Sequence, residues 1–338
     1  MTSTFAHSAI SPGVSDSFTE GFRWMLLART LEEKISSLYS AGKIVGGVYL
    51  GRGQEAFSTA LALSLRRGQD IFAPLIRDQA GRMAFGEAML DTLRTYLGSV
   101  LGPMRGRDGN IHRGRPAQGM PAMISHLGSM ISVVCGMLIA RRFRGENEVV
   151  GASSIGDGGT STGAFHEAMN LAGVERLPLV IAVANNQFAY STPTSAQYGC
   201  RDLVDRAIGY GFTGHSVDGE DLGACLEVFN TAVRKARAGE GPQMIVGTML
   251  RLCGHGEHDD ASYVPAEVKA SRGDCLQLAR QQMVARGLAT LQSLEIMEAE
   301  AYEAVQTAVM QVQKEPTPDP AQESWQPLAS TWLMEGMA

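Results

Sequence analysis

The chain has 338 residues, 44% of them apolar and 19% charged, with a formal net charge of −6. This composition is typical of a globular protein with an ample core, and an acidic chain without a basic cluster argues against nucleic acid as the main partner. No apolar run reaches the roughly 20 residues of a membrane-spanning helix, so no membrane association is predicted.

The cysteines are scattered, odd in number and never in C-x-x-C spacing. They are Cys135, Cys200, Cys225, Cys253 and Cys275. This pattern predicts reduced thiols in or near the core, because a disulfide framework or a zinc site needs paired spacings.

The first predicted feature along the chain is a flexible N-terminal arm over residues 1–16, which contains no Lys or Arg. The lack of basic residues argues against a secretory signal or an organellar transit peptide and favours a bacterial cytoplasmic location. Ser17 or Thr19 is expected to cap a long amphipathic helix that runs to about residue 41.

Helix-like and strand-like segments then alternate along the chain. Helices are predicted at 54–66, 130–143 and 163–172, and strands at 70–75, 149–155, 179–184, 209–217 and 244–250. The alternation predicts an α/β fold with a doubly wound, mostly parallel sheet. This domain is expected to span 17–272, and a C-terminal helical extension with a proline-rich tail, broken at Gly287, spans 273–338.

Two polar motifs end successive predicted strands. The first is Gly-Asp-Gly at 156–158, and the second is Asn-Asn at 185–186, after twenty-six intervening residues. Ligands bind at the carboxyl ends of the strands in open parallel sheets, where Asp157 and Asn186 offer hard oxygen ligands and glycines let backbone N–H groups approach phosphates. The pattern predicts a magnesium-diphosphate site, whereas the G-x-G-x-x-G spacing of a dinucleotide-binding turn is not present.

These motifs closely resemble the thiamine diphosphate motif in the α subunits of 2-oxo acid dehydrogenase E1 components, and the resemblance covers residues 22–320. It implies the thiamine diphosphate-binding fold, with thiamine diphosphate and Mg²⁺ as cofactors. Asp157, Asn186 and the backbone carbonyl of Phe188 then correspond to the metal ligands, and Gly158 and Gly159 contact the cofactor.

Two further motifs of this family occur upstream. Arg77 corresponds to the arginine that binds the diphosphate, a role that suits a planar bidentate cation, and Ile76 replaces the tyrosine usual before it. The Gly-Gln-Glu-Ala motif at 53–56 is favoured as a capping and packing motif over a direct role in catalysis.

The loop at 106–114 carries His112, a predicted catalytic residue, and matches the segment before the family's active site. The short stretch from His112 to Ser125 resembles the branched-chain 2-oxo acid enzymes more than the pyruvate enzymes. Ser125 and Leu127 then correspond to residues that contact the thiamine. His126 replaces a proline, and either a substrate contact or a merely exposed position is open for it.

His255 corresponds to a histidine beside the thiazolium in the family, and it is the second predicted catalytic residue. An imidazole that ionises near physiological pH can donate protons to the charge that builds on the substrate. A zinc site formed by His255, His258, Asp259 and Asp260 is the less favoured alternative. Asp259 is expected to orient the loop, and Gly256 stands where regulated animal enzymes have a phosphorylatable serine.

The resemblance also implies partners. The glutamate that activates the thiamine lies on the β subunit in this family, which predicts an α₂β₂ heterotetramer that decarboxylates a small 2-oxo acid and passes the acyl group to a lipoyl-bearing E2 acyltransferase. Pyruvate, branched-chain 2-oxo acids and acetoin all remain open as substrates. A thiamine-dependent carboligase or non-oxidative decarboxylase, and a non-catalytic binding module, are the alternatives.

Overall fold

The structure is a computed structural model that describes residues 12–109, 112–324 and 326. Its first helix, α1, spans Pro12–Ser40. The predicted arm over residues 1–16 is therefore too long, because residues 12–16 are helical, while residues 1–11 lie outside the described residues. Proline is favoured in the first helical turn, where its fixed φ suits the helix and its missing N–H is not needed, which explains the earlier start.

The described residues form seven strands. They are β1 (Ile71–Ala73), β2 (Gly151–Gly156), β3 (Leu179–Asn185), β4 (Phe188–Ala189), β5 (Thr192–Pro193), β6 (Thr213–Asp218) and β7 (Gln243–Thr248). Five of them make one parallel sheet in the spatial order β1, β2, β3, β7, β6, and β4 pairs with β5 in a small antiparallel hairpin. The parallel register sets the carboxyl ends of β2, β3 and β7 side by side.

Helices cover both faces of the sheet. After α1 they are α2 (Glu55–Leu63), α3 (Gln79–Phe85), α4 (Met89–Tyr96), α5 (Ser129–Phe143), α6 (Gly163–Val174), α7 (Arg206–Gly209), α8 (Leu222–Arg237), α9 (Ala266–Ala270), α10 (Cys275–Ala285) and α11 (Leu291–Val312). Along β3, Val180 and Ala182 pack in the core with α1, α2 and α8, while Ile181 and Val183 pack with α5 and α6. This alternation explains why residues 179–184 of β3 are all apolar, and it confirms the doubly wound α/β fold.

Most predicted elements agree with the structure, but the strand predicted at 209–217 is partly wrong. Residue 209 ends α7, Gly211 has a φ of +74° in the turn that follows, and β6 begins only at Thr213. The amide of Phe212 closes this turn by donating to the carbonyl of Ala207. The left-handed turn residue therefore separates a helical end from the strand.

The C-terminal helices pack on the same core. Gly287, with a φ of +67°, separates α10 from α11 as the sequence predicts. Val305 and Val309 of α11 share a core cluster with Leu31 and Ile35 of α1. Within the described residues, no helix is long and apolar enough to cross a membrane.

Candidate active site

A cavity of about 560 Å³ opens at the carboxyl ends of β1, β2, β3 and β7. One loop after each of these strands lines it. These loops contribute Ile76, Arg77 and Asp78 after β1, Asp157, Gly158 and Gly159 after β2, Asn186, Phe188 and Tyr190 after β3, and Arg251 and His255 after β7. Tyr49 and Gln54 before α2 and the segment 123–127 complete the wall. This is the position at which open parallel sheets bind ligands.

Three oxygen-bearing groups predicted as metal ligands meet in one corner of the cavity. The terminal atom of the Asn186 amide that faces this corner lies 3.3 Å from Oδ1 of Asp157 and 3.0 Å from the backbone oxygen of Phe188. If that atom is the amide oxygen, three oxygens face one another with no proton between them, an arrangement that a cation stabilises. Carboxylate, amide and carbonyl oxygens are also the donors that Mg²⁺ prefers, so the corner fits this ion.

Asp157 is fixed in this corner by groups that leave Oδ1 directed at Asn186. Only 1% of Asp157 is exposed, and its Oδ2 accepts a hydrogen bond of 2.7 Å from Nε2 of Gln197. Burial raises the pKa of Asp157, and the Gln197 hydrogen bond opposes this shift. A bound cation would favour the charged carboxylate further. Gly158 is required because a Cβ there would lie 2.4 Å from the Cβ of Ala189.

Two arginines give the cavity its positive charge. Arg77 donates from Nη1 to the carbonyl of Leu50 at 2.7 Å and from Nη2 to the carbonyl of His255 at 2.6 Å. Arg251 donates to the carbonyl of Tyr190 at 3.0 Å. Among the described residues, no carboxylate lies within ion-pair distance of either guanidinium. Neutral groups therefore hold both cations in place, and their charge is available to an anion such as a diphosphate.

His255 lies between these two cations. Its Nδ1 is 3.4 Å from Nη2 of Arg77 and 3.3 Å from Nη1 of Arg251. Guanidinium nitrogens only donate, so Nδ1 accepts and the ring proton of the neutral form sits on Nε2. Burial and the two arginines lower the pKa of His255 to about 4. The expectation that this imidazole ionises near physiological pH is therefore wrong for the chain by itself.

The zinc alternative for the His255 loop finds no support in the structure. Oδ2 of Asp259 accepts hydrogen bonds from the backbone amide of His255 at 2.5 Å and from the hydroxyl of Tyr263 at 2.7 Å. Asp259 thus orients the loop, as the sequence predicts. Over the part of the chain that the structure describes, no three His, Cys, Asp or Glu side chains are grouped to hold a metal.

Comparison with known proteins agrees with this geometry. A family described as "Dehydrogenase E1 component" matches residues 23–321. This chain belongs to the dehydrogenase E1 component α-subunit family. The match confirms both the thiamine diphosphate-binding fold and the prediction of an oxidoreductase of the 2-oxo acid dehydrogenase E1 type. The family implies thiamine diphosphate as the cofactor.

Three curated relatives are similar in sequence to this E1 α chain over most of its length. The α subunit of acetoin:2,6-dichlorophenolindophenol oxidoreductase from Cupriavidus necator is 31% identical, over 93% of this chain and 94% of its own length. The pyruvate dehydrogenase E1 α subunit of Rhizobium meliloti is 29% identical, over 93% and 91%. The 2-oxoisovalerate dehydrogenase α subunit of Bacillus subtilis is 32% identical, over 77% and 78%.

The remaining predicted site residues of the E1 α chain lie on the segment before α5. Ser125 and Leu127 line the cavity, and Leu127 is 51% exposed. His112 is not part of the wall but reaches it through Ser125, whose Oγ is 2.5 Å from Nε2 of the imidazole. His126 is exposed and does not line the cavity.

The Gly-Gln-Glu-Ala motif divides into two roles. Glu55 is buried and accepts hydrogen bonds from Nε of Arg29 at 2.6 Å and from the amide of Gly53 at 2.8 Å, so it is a packing residue, as the sequence favours. Gln54 instead lines the cavity, and its Oε1 lies 3.4 Å from the Nδ2 of Asn186.

Sequence reasoning missed several residues of the site. They are Tyr49, Gln54, Tyr190, Gln197 and Arg251. Each lies in a predicted motif or within eleven residues of one. These residues come together only where separate loops meet at the carboxyl ends of the strands, and the sequence does not show that meeting. The signal that was available for Arg251 is its place directly after a buried strand, which is the same position that singled out Asp157 and Asn186.

Proposed function

We propose that this chain is the α subunit of an E1 enzyme that binds Mg²⁺ and thiamine diphosphate and oxidatively decarboxylates a small 2-oxo acid. The observation that carries the proposal is the corner formed by Asp157, Asn186 and Phe188 beside two arginines that have no carboxylate partner among the described residues. The three oxygens match Mg²⁺, and the cations match the diphosphate that shares it. Gly158 and Gly159 line the cavity beside this corner, and a Cβ on either would clash with Ala189 or Ile155.

When bound, thiamine diphosphate supplies a nucleophilic carbon and an electron sink for the decarboxylation. The chain's own residues bind and orient around this chemistry. Arg77 would hold the diphosphate, and Ser125 and Leu127, which also line the cavity, would contact the thiamine. His255, neutral at pH 7, presents Nε2–H as a hydrogen-bond donor toward developing negative charge on the substrate.

A second chain is expected to complete the site. E1 α subunits pair with β subunits, and the cavity-lining residues Leu127 and Tyr190 are 51% and 45% exposed. An apolar rim of this kind suits a permanent partner surface better than solvent. We therefore propose an α₂β₂ heterotetramer in which the β subunit closes the cavity and supplies the activating glutamate, with a lipoyl-bearing E2 as acyl acceptor.

The choice of substrate rests on two observations that point in different directions. The short segment between His112 and Ser125 favours branched-chain-like 2-oxo acids, and pyruvate is the other acid considered. Acetoin is the second candidate substrate, because the relative from Cupriavidus necator that is named for it aligns over nearly the full length of both chains. A bacterial cytoplasmic location stays part of the proposal.

The test is co-expression with the matching β subunit, followed by a panel of pyruvate, branched-chain 2-oxo acids and acetoin with an artificial electron acceptor. We expect acceptor reduction with one 2-oxo acid, none from this chain alone, and acyl transfer when a lipoyl domain is added. Turnover that needs no acceptor and releases a free aldehyde or an acyloin would instead identify a decarboxylase or carboligase. Full activity of the isolated chain would contradict the two-chain site.

A further inference from the structure

The segment that precedes α5 brings an aspartate, a histidine and a serine into one hydrogen-bonded line. Oδ2 of Asp108 lies 2.6 Å from Nδ1 of His112, and Nε2 of His112 lies 2.5 Å from Oγ of Ser125. Ser125 lines the cofactor cavity, whereas His112 stands behind it with 37% of its side chain exposed. The line therefore runs from a half-exposed carboxylate to the cavity wall.

Each member of this line has a defined hydrogen-bonding role. A carboxylate only accepts, so it fixes a proton on Nδ1 of His112. In the neutral ring, Nε2 accepts from the Ser125 hydroxyl, and in the protonated ring, Nε2–H donates to the same oxygen. Both protonation states keep both hydrogen bonds, so the imidazole can take up or release a proton without moving.

Ion pairs hold this segment on both sides of the line. Arg113, next to His112, is buried and binds Glu87 through Nε at 3.0 Å and Nη2 at 2.9 Å. The carbonyl of Arg113 accepts from Nη2 of Arg82 at 3.0 Å. On the other side, Arg107, next to Asp108, pairs with Glu323 at 2.7 Å. The line is thus preorganised by the protein rather than left on an unsupported loop.

The histidine that lines the cavity, His255, is not a comparable proton carrier. Among the wall residues, His255 is surrounded by Arg77 and Arg251 and is neutral at pH 7. A hydrogen bond from Nε2–H of His255 can stabilise negative charge. If the neutral ring transferred this proton, however, it would become an imidazolate anion. The conversion of a 2-oxo acid needs protons to be both removed and returned, so a group of this chain that both accepts and donates a proton would add what His255 does not supply.

We infer that Asp108, His112 and Ser125 form a proton relay that opens into the cofactor cavity at Oγ of Ser125. In one direction, Oγ gives its proton to an acceptor in the cavity and takes the Nε2 proton of His112, and Asp108 stabilises the imidazolium before the transfer. In the other direction, Oγ receives a proton from the cavity while its own passes to Nε2. Because His112 is half-exposed, it exchanges this proton with water. This inference rests on the proposed thiamine chemistry.

The first test is the state of the His112 ring, measured by ¹⁵N-histidine NMR on the full chain without cofactor or substrate. We expect the neutral ring to carry its proton on Nδ1 in the wild type and in Ser125→Ala. Asp108→Ala should lose this preference, because the carboxylate sets it. A wild-type ring protonated on Nε2, or one that is unaffected by Asp108→Ala, would overturn the relay.

The second test measures turnover of His112→Ala, Asp108→Ala and Ser125→Ala in the assembly with the β subunit. We expect losses on the order of 10²-fold for His112→Ala and Ser125→Ala, and roughly 10-fold for Asp108→Ala. Added imidazole should restore a substantial part of the activity of His112→Ala but not of Ser125→Ala. The matched control is His126→Ala, an exposed neighbour on the same segment, which should keep wild-type turnover.

Calorimetric affinity for thiamine diphosphate with Mg²⁺ should stay within about twofold in His112→Ala and Asp108→Ala. A loss of turnover that imidazole does not relieve would assign His112 a purely structural role and overturn the relay. Normal turnover in His112→Ala would also overturn it, while leaving the proposed function intact. An assembly with no turnover in the wild type would reject the proposed function, and the NMR result would still decide whether the hydrogen-bonded line exists.

Discussion

Two histidines belong to the same site but stand in opposite electrostatic surroundings. Nδ1 of His255 accepts hydrogen bonds from two guanidiniums, and the proton of this ring is on Nε2. Nδ1–H of His112 donates a hydrogen bond to a carboxylate, and its Nε2 faces a serine. The first ring is held as a neutral hydrogen-bond donor, whereas the second can carry a proton in either direction.

The difference shows that the neighbours, and not the residue type, decide what a catalytic histidine does. We propose that the two arginines beside His255 bind the diphosphate, and burial together with these cations lowers the pKa of the imidazole to about 4. His112 has a carboxylate beside its Nδ1 instead, because Oδ2 of Asp108 lies 2.6 Å from this nitrogen. Four predictions would break or sharpen this comparison.

The largest effect is expected for His255→Ala. Loss of the Nε2–H donor should lower turnover on the order of 10²–10⁴-fold, the usual worth of a positioned acid–base or hydrogen-bonding group. Assembly with the β subunit and affinity for thiamine diphosphate should be preserved. Steady-state kinetics of the complete assembly checks this, with His258→Ala as the control, because His258 is exposed on the same loop. Near-normal turnover in His255→Ala would leave it as a loop residue only.

Substitutions of two nearby arginines, Arg113 and Arg115, test how ion pairs anchor the segment that carries His112. Arg113→Leu should lower the free energy of unfolding by on the order of 3 kcal/mol, because it removes one partner of a buried ion pair. Arg115→Leu should cost less than about 1 kcal/mol, since the Arg115 side chain is 37% exposed in its pair with Asp91. Denaturant unfolding of both variants measures the difference. Equal losses would show that burial of Arg113 adds nothing to the anchor.

The pH dependence of this anchor follows from Glu87. Burial alone would raise the pKa of Glu87, but Arg113 and Arg82 outweigh it and lower the value from 4.5 to about 2. The stabilisation of the fold by the ion pairs of Glu87 is therefore present above about pH 4.5 and is lost as the pH falls through 2. The gap between Arg113→Leu and the wild type should shrink over the same range, and a gap that grows on acidification would contradict this sign.

The smallest effect is a shift in the ionisation of His255. Arg251→Gln removes one of the two cations beside the ring, so the pKa of His255 should rise from about 4 toward its ordinary 6.5. Burial and Arg77 should keep it below that value. An NMR titration measures the shift, and Arg251→Lys is the control, because it keeps the charge and should change the pKa little. An unchanged pKa in Arg251→Gln would mean that burial and Arg77 set the pKa of His255 without Arg251.

The sequence was sufficient for the parts of the site that follow strands directly. Asp157, Asn186 and Arg77 each follow a buried strand, and the structure places all three on one cavity. The strands β2, β3 and β7 are buried on both faces, and their short runs of small and apolar residues allowed them to be predicted. Here local pattern and final position agree.

The features of the site that the sequence does not predict depend on contacts between residues that are far apart in the chain. The charge state of His255 depends on its burial and on Arg77, 178 positions away, and no local pattern contains that pair. Asp157 is held by Gln197, 40 positions further along the chain. The line from Asp108 to Ser125 is closer in sequence, but its function depends on the loop geometry that Glu87 and Arg113 impose.

The most direct test of the central claim is metal-dependent cofactor binding at Asp157. Isothermal titration calorimetry of the assembly with thiamine diphosphate should show binding with Mg²⁺ and none after chelation of divalent ions. Asp157→Ala should abolish the Mg²⁺-dependent binding, while Asp260→Ala, which removes an exposed carboxylate, should leave it unchanged. Wild-type affinity in Asp157→Ala, or equal affinity with and without Mg²⁺, would contradict the assignment of this corner as the metal-diphosphate site.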